Sequence, residues 1–207
     1  MIRGNDGPTS IFIVGKGKKT VKQRVHKFLY KIRKAWIEKH LKPDPHNMDE
    51  VMNYIKNQYG FMEVDHSSDE YQNQYKEMRA SFIMMYAPEL LGEYAARPKL
   101  FSRDEEGIQK FMEQLAVRKE VAEEVPSQVF DIDFHIFKNE QADVHMEFLI
   151  ESKHGYIGGS FSGPGKREKK QYEKMYHDVY RYYGVSVEDI ANKTKRYEDV
   201  VRGMISF

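Results

Sequence analysis

Cysteine is absent from the chain, so disulfides, thiolate metal centres and cysteine nucleophiles are excluded together. Long apolar runs are missing as well. Nothing approaches the roughly 18 consecutive apolar residues of a membrane-crossing helix, and Met1 to Gly7 has no secretory apolar stretch. These gaps together suit a cytoplasmic protein. Catalytic signatures are missing too: no G-x-S-x-G element, ordered Ser-His-Asp set or complete phosphate-loop pattern can be read. The chain has one tryptophan, Trp36, and only seven prolines.

What is present is a folded-protein composition, 40% hydrophobic and 13% aromatic, over 207 residues, enough for one globular domain spanning 1–207. Charge is distributed unevenly. Eleven of the 27 residues from Lys16 to Lys42 are Lys or Arg and only Glu38 is acidic, so this segment carries +10 in a chain whose total is +1. Such separation of sign implies an anionic partner for the basic stretch or an intramolecular match with the acidic remainder.

The period of the apolar residues places the elements. Val21, Val25, Phe28, Leu29, Ile32 and Trp36 recur at steps of three and four, which predicts a helix from about Lys18 to Leu41 with that stripe packed on a core. Asn47 with Glu50, Ser67 with Glu70, Ser102 with Glu105, and Ser186 with Asp189 mark further helix starts. The third of these opens an acidic helix over 103–124, the candidate to face the basic one. The last predicts one helix through about Arg202. Lys166 to Tyr183 returns to helical spacing before Gly184.

After Pro126 the period falls to two: Phe130, Ile132, Phe134 and Ile136, then Val144, Met146, Phe148 and Ile150, read as a hairpin near 129–151 with one apolar face per strand. A third strand is expected near 156–161, and Ser10 to Val14 is a candidate fourth. The expected fold is α+β, a small antiparallel sheet packed with about six amphipathic helices.

Three groups of residues carry possible chemistry. Lys18, Lys19, Lys22, Arg24, Lys27, Lys31 and Lys34 on the first helix, extended by Lys166, Arg167, Lys169 and Lys170, form a basic surface that would neutralise phosphates or carboxylates. A nucleic acid or an anionic membrane surface is a physically sound target, and the partner favoured is a nucleic acid or an acidic protein surface. On the hairpin, even-with-even pairing of Ile136 and Val144 sets His135 opposite His145 and Asp133 opposite Glu147, a ligand set suited to a divalent metal such as Zn²⁺ or Fe²⁺. Pairing Ile136 with Met146 disperses it. No other cofactor is indicated. Gly155 to Lys166 is glycine-rich between a strand and a helix, but Arg167 stands where a phosphate loop needs Ser or Thr. The tyrosines at helical spacing read as amphipathic core residues rather than a base-stacking platform. The favoured reading is a binding protein that uses the basic helix. A metal protein built on the hairpin and an interaction module with internally matched charges are the alternatives.

Residues Gly4-Asn5-Asp6-Gly7-Pro8-Thr9-Ser10-Ile11-Phe12-Ile13-Val14-Gly15-Lys16 resemble a peptide of the membrane-embedded beta subunit of sodium-translocating decarboxylases, and Ala87 to Gly92 resembles the next stretch of that subunit. The resemblance implies a sodium-handling role for the acidic residue matching Asp6. That role needs surrounding transmembrane helices, which this chain lacks, so the family's activity does not carry over.

Overall fold

A computed structural model describes residues 21–141 and 144–205. The expected strand at Ser10 to Val14 and the decarboxylase-like peptide at 4–16 lie outside the described residues. The fold is α+β, with a small four-stranded antiparallel sheet and, among the described residues, seven α-helices and one 3-10 stretch. The chain packs as two compact units, one built on Val64–Phe134 and the other on the segments before and after it.

The Val64–Phe134 unit holds α3 (Asp69–Tyr86), a 3-10 stretch (Pro88–Tyr94) and α4 (Glu105–Glu124). Its core is Ala80, Ile83, Leu91 and Ala122, flanked by Met84, Leu90, Val121, Val125 and Phe130. Two arginines are buried here with carbonyl partners. Arg79 donates to Phe130 and Val125, and Arg118 to Met84, Tyr94 and Ala95.

The other unit is discontinuous in the chain. Before Val64 it takes α1 (Val21–His40), α2 (Met48–Tyr59) and the short strand β1 (Met62–Glu63). It continues with β2 (Phe134–Gln141, from His135 onward), β3 (Val144–Glu151), β4 (Tyr156–Ser162), α5 (Lys166–Tyr183), α6 (Val187–Asn192) and α7 (Lys195–Ile205). The sheet order is β1-β2-β3-β4, with Phe148 opposite Gly159 and Ile150 opposite Ile157. The core joins Val51 and Ile55 of α2, Phe137, Phe148 and Ile150 of the sheet, Tyr172 and Val179 of α5, and Val200 and Val201 of α7.

The strands depart from the expected one-faced hairpin. Ile136 and Phe137 are neighbours that point to opposite faces, and both are fully buried. Phe137, not Ile136, shares the unit's core with Met146, Phe148 and Ile150. The expected even-with-even match is therefore corrected to odd positions of β2 with even positions of β3, which turns the side chains of β2 to the other face.

Helix starts follow local capping chemistry. Asn47 and Glu50 form a reciprocal capping box at α2, and Ser186 and Asp189 form another at α6. At α3 the cap is Ser68 rather than Ser67, and at α4 it is Asp104. The single last helix is corrected to two, because Lys193 takes a left-handed conformation (φ 51°) between α6 and α7.

Candidate functional site

The main correction concerns α1. The stripe expected to anchor it is open: Val21, Val25, Phe28, Leu29, Ile32 and Trp36 are all exposed, from 49% at Val25 to 77% at Val21. At about 100° per residue these six fall within an arc of about 100° of the helix surface. The opposite side does the anchoring. Ile37 is in the core with Leu41 packed against it, and α1 lies along α7. Tyr197 of α7 donates its hydroxyl to Glu38 (3.1 Å), and Arg33 donates to His177 of α5 (3.4 Å). His40 caps the end by donating to the Trp36 carbonyl (2.7 Å) and stacks on its indole.

Cations border the open stripe. Counting round the helix, Arg24 and Lys31 fall on one side of it and Arg33 and His40 on the other, with Lys39 closing its C-terminal end. Arg24, Lys27, Lys31, Arg33, Lys34 and Lys39 are exposed. From Val21 to His40 there are seven Lys or Arg against Glu38, which is turned towards Tyr197 and Lys34. Lys18 and Lys19 lie outside the described residues, and Lys22 is part of α1. Lys166, Arg167, Lys169 and Lys170 are exposed on the first two turns of α5, with Lys169 3.5 Å from Glu173. They stand at least seven residues before His177, the α5 residue that α1 meets through Arg33.

The expected internal match for the basic helix is α4. Some of its charges find partners within their own unit: Glu106 pairs with Lys110, while Lys119 sits between Glu77 of α3 and Glu123.

The hairpin ligand set is dispersed. His135 meets Glu63 of β1 (2.7 Å), His145 faces Glu140 (3.6 Å) and Glu147 approaches Lys138 (3.9 Å). With β2 turned to its other face, the two histidines expected opposite each other each meet a different carboxylate. Asp133 belongs to the other unit. The glycine-rich stretch is likewise strand before it is loop, since Gly158 and Gly159 lie in β4. A Cβ at Gly159 would collide with the Tyr172 hydroxyl, which donates to the Glu147 carbonyl (2.9 Å).

One polar cluster has no signal in the sequence. Tyr54 and Tyr59 of α2 both donate to Asp178 Oδ2 of α5, at 2.6 and 2.5 Å, and Tyr54 stacks on Tyr182, which stacks on His46. Burial, then the bond to the Asp178 carboxylate, raises both phenol pKa values above the ordinary range. Nearby, Arg196 donates to the carbonyls of His46, Tyr183 and Gly184 and lies over the Tyr183 ring. These contacts fasten α2, α5 and α7 into the platform that carries α1.

No family model, curated protein or solved structure matches this chain.

Proposed function

We propose that this is a binding protein whose α1 is its docking element for an anionic partner. The observation that supports the reading is the exposed stripe of Val21, Val25, Phe28, Leu29, Ile32 and Trp36 with cations on both borders. An isolated exposed apolar residue is ordinary, but six on one helix face form a patch of the kind that marks an interaction surface. The basic border sets the sign of what the patch meets. A solvated basic face with a buried stripe would have needed no partner, and this helix has its stripe outside.

The metal alternative is the weaker reading on the hairpin, because His135, His145 and Glu147 each face a different group. Internal charge matching is not needed to account for α4, which has Lys110 and Lys119 beside its acidic residues. The proposal keeps the cytoplasmic placement inferred from composition, and no helix among the described residues is long and apolar enough to cross a membrane.

The test is binding to immobilised polyanions against charge reversal of Arg24, Lys27, Lys31 and Lys34. Retention on at least one anionic probe should fall steeply with salt and be lost in the reversed variant. Binding that ignores both changes overturns the reading.

A further inference from the structure

Resting on the reading of α1 as a docking helix, we propose that its partner is an anionic lipid surface, on which α1 lies in the plane of the interface.

The exposed face joins an apolar stripe to basic borders, and a partner must satisfy both. Phosphates and sugars offer no apolar depth, so a nucleic acid would engage the cations and leave Val21, Val25, Leu29 and Ile32 in water; aliphatic side chains gain nothing from base stacking. A bilayer surface suits both halves of the face. Its acyl boundary takes the apolar stripe a few ångströms deep, and its anionic headgroups take the basic borders.

Geometry narrows the choice further. At the C-terminal end of α1 the side opposite the stripe is held, Ile37 in the core and Glu38 against Tyr197 of α7. A protein groove that wraps an amphipathic helix would have to stop short of that end. A plane needs only the arc of the apolar stripe. The stripe from Val21 to Trp36 runs for about 23 Å, all on that arc. Arg24 and Lys31 along one border and Arg33 along the other have stems long enough to lie against the apolar layer while their charges stay at headgroup level. Trp36 sits at the stripe's end, and indole is the side chain that favours the boundary between lipid and water. Charge complementarity is one-sided over the face, since the only carboxylate of α1, Glu38, is turned to Tyr197. Association of this kind is peripheral, as expected where no described helix can cross a membrane.

The single tryptophan makes the test specific, because Trp36 lies on the face in question. The full chain is titrated with phosphatidylcholine vesicles and with vesicles of phosphatidylcholine and phosphatidylglycerol, following Trp36 emission and co-sedimentation. The expected result is a blue shift, protection from an aqueous quencher, and affinity for the anionic vesicles at least about tenfold above that for the neutral ones, reduced by salt. Phe28→Asp with Ile32→Asp should weaken vesicle binding at least about tenfold by removing apolar depth. Arg24→Glu with Lys31→Glu should abolish the preference for anionic lipid. All four side chains are exposed, and far-ultraviolet circular dichroism with a thermal melt shows whether each variant keeps its fold.

Parallel titrations with oligonucleotides and with polyglutamate separate the two levels of the proposal. Unshifted Trp36 emission with anionic vesicles, but salt-sensitive binding to either polymer, overturns the lipid partner and leaves the docking reading standing. No binding to any of the three overturns both. A blue shift that grows with protein concentration in the absence of vesicles, and is lost in the Phe28 and Ile32 variant, assigns the face to a second copy of the chain and overturns the lipid proposal.

Discussion

Trp36 and Ile37 are consecutive residues of α1 with opposite surroundings: the indole is 59% exposed and the isoleucine 3%. A rotation of about 100° separates a side chain that presents itself to solvent from one that anchors the helix. Which of the two faces lies outside decides whether α1 can dock a partner.

That orientation is directly measurable. Ile37→Ala removes a buried side chain among packed neighbours and should lower stability by about 2–4 kcal/mol. Trp36→Ala, despite deleting the larger residue, should cost less, about 1 kcal/mol at most, because more than half of the side chain is exposed. Urea denaturation followed by circular dichroism compares them. A larger loss at Trp36 than at Ile37 would place the stripe inside and remove the basis of the docking proposal.

A second prediction concerns the contact of α5 with the sheet. Gly159 faces Tyr172, and the tyrosine hydroxyl reaches the Glu147 carbonyl across the space that a side chain would fill. Gly159→Ala should therefore destabilise the protein by about 1–3 kcal/mol through overpacking. Tyr172→Phe removes the obstructing oxygen, so in a double-mutant cycle the two changes together should cost less than their sum. Strict additivity would show that the hydroxyl is not what excludes the Cβ.

Much of the fold was legible in the sequence because local rules acted alone. The capping boxes at Asn47 and Ser186 needed only residues three apart, and the change from helical to alternating period after Pro126 located the hairpin strands. What failed was the assignment of faces. A stripe of Val21, Phe28, Ile32 and Trp36 at helical spacing looks the same whether it meets a core or a partner, since periodicity records amphipathicity and not its direction. The hairpin misled for a related reason: with Ile136 and Phe137 both buried, the alternation no longer distinguishes one face, and register is then set by long-range packing. The Tyr54, Tyr59 and Asp178 cluster joins residues more than a hundred positions apart and has no local signature.

In the Val64–Phe134 unit, two adjacent cations should behave differently. Arg118 is buried and donates to three carbonyls, those of Met84, Tyr94 and Ala95, with burial pulling its pKa down. Arg118→Met would leave those acceptors unpaired and should cost about 2–4 kcal/mol. Lys119 beside it pairs with Glu77 and Glu123 on a wet surface, and Lys119→Met should cost no more than about 1 kcal/mol. Equal losses in chemical denaturation would contradict the carbonyl-clamp role of Arg118.

The last prediction is a pH dependence with a defined sign. The Tyr75 hydroxyl donates to Asp131 Oδ1 at 2.5 Å, and burial, then the bond to that carboxylate and its charge, push the phenol pKa up to about 12. An unfolded tyrosine loses its proton near pH 10. Between these values the unfolded chain binds fewer protons at this site than the folded one, so stability falls as pH rises. The contribution is whole below about pH 10 and is lost as pH climbs through the interval towards 12. Asp131→Asn removes the carboxylate and should return the phenol towards its ordinary value, narrowing that interval. The difference between wild-type and Asp131→Asn tyrosinate absorbance titrations isolates Tyr75 from the other tyrosines, and denaturation midpoints across the same range read the linkage. Superimposable titrations would mean that Asp131 does not hold the Tyr75 proton, and the alkaline loss of stability would then have to arise elsewhere.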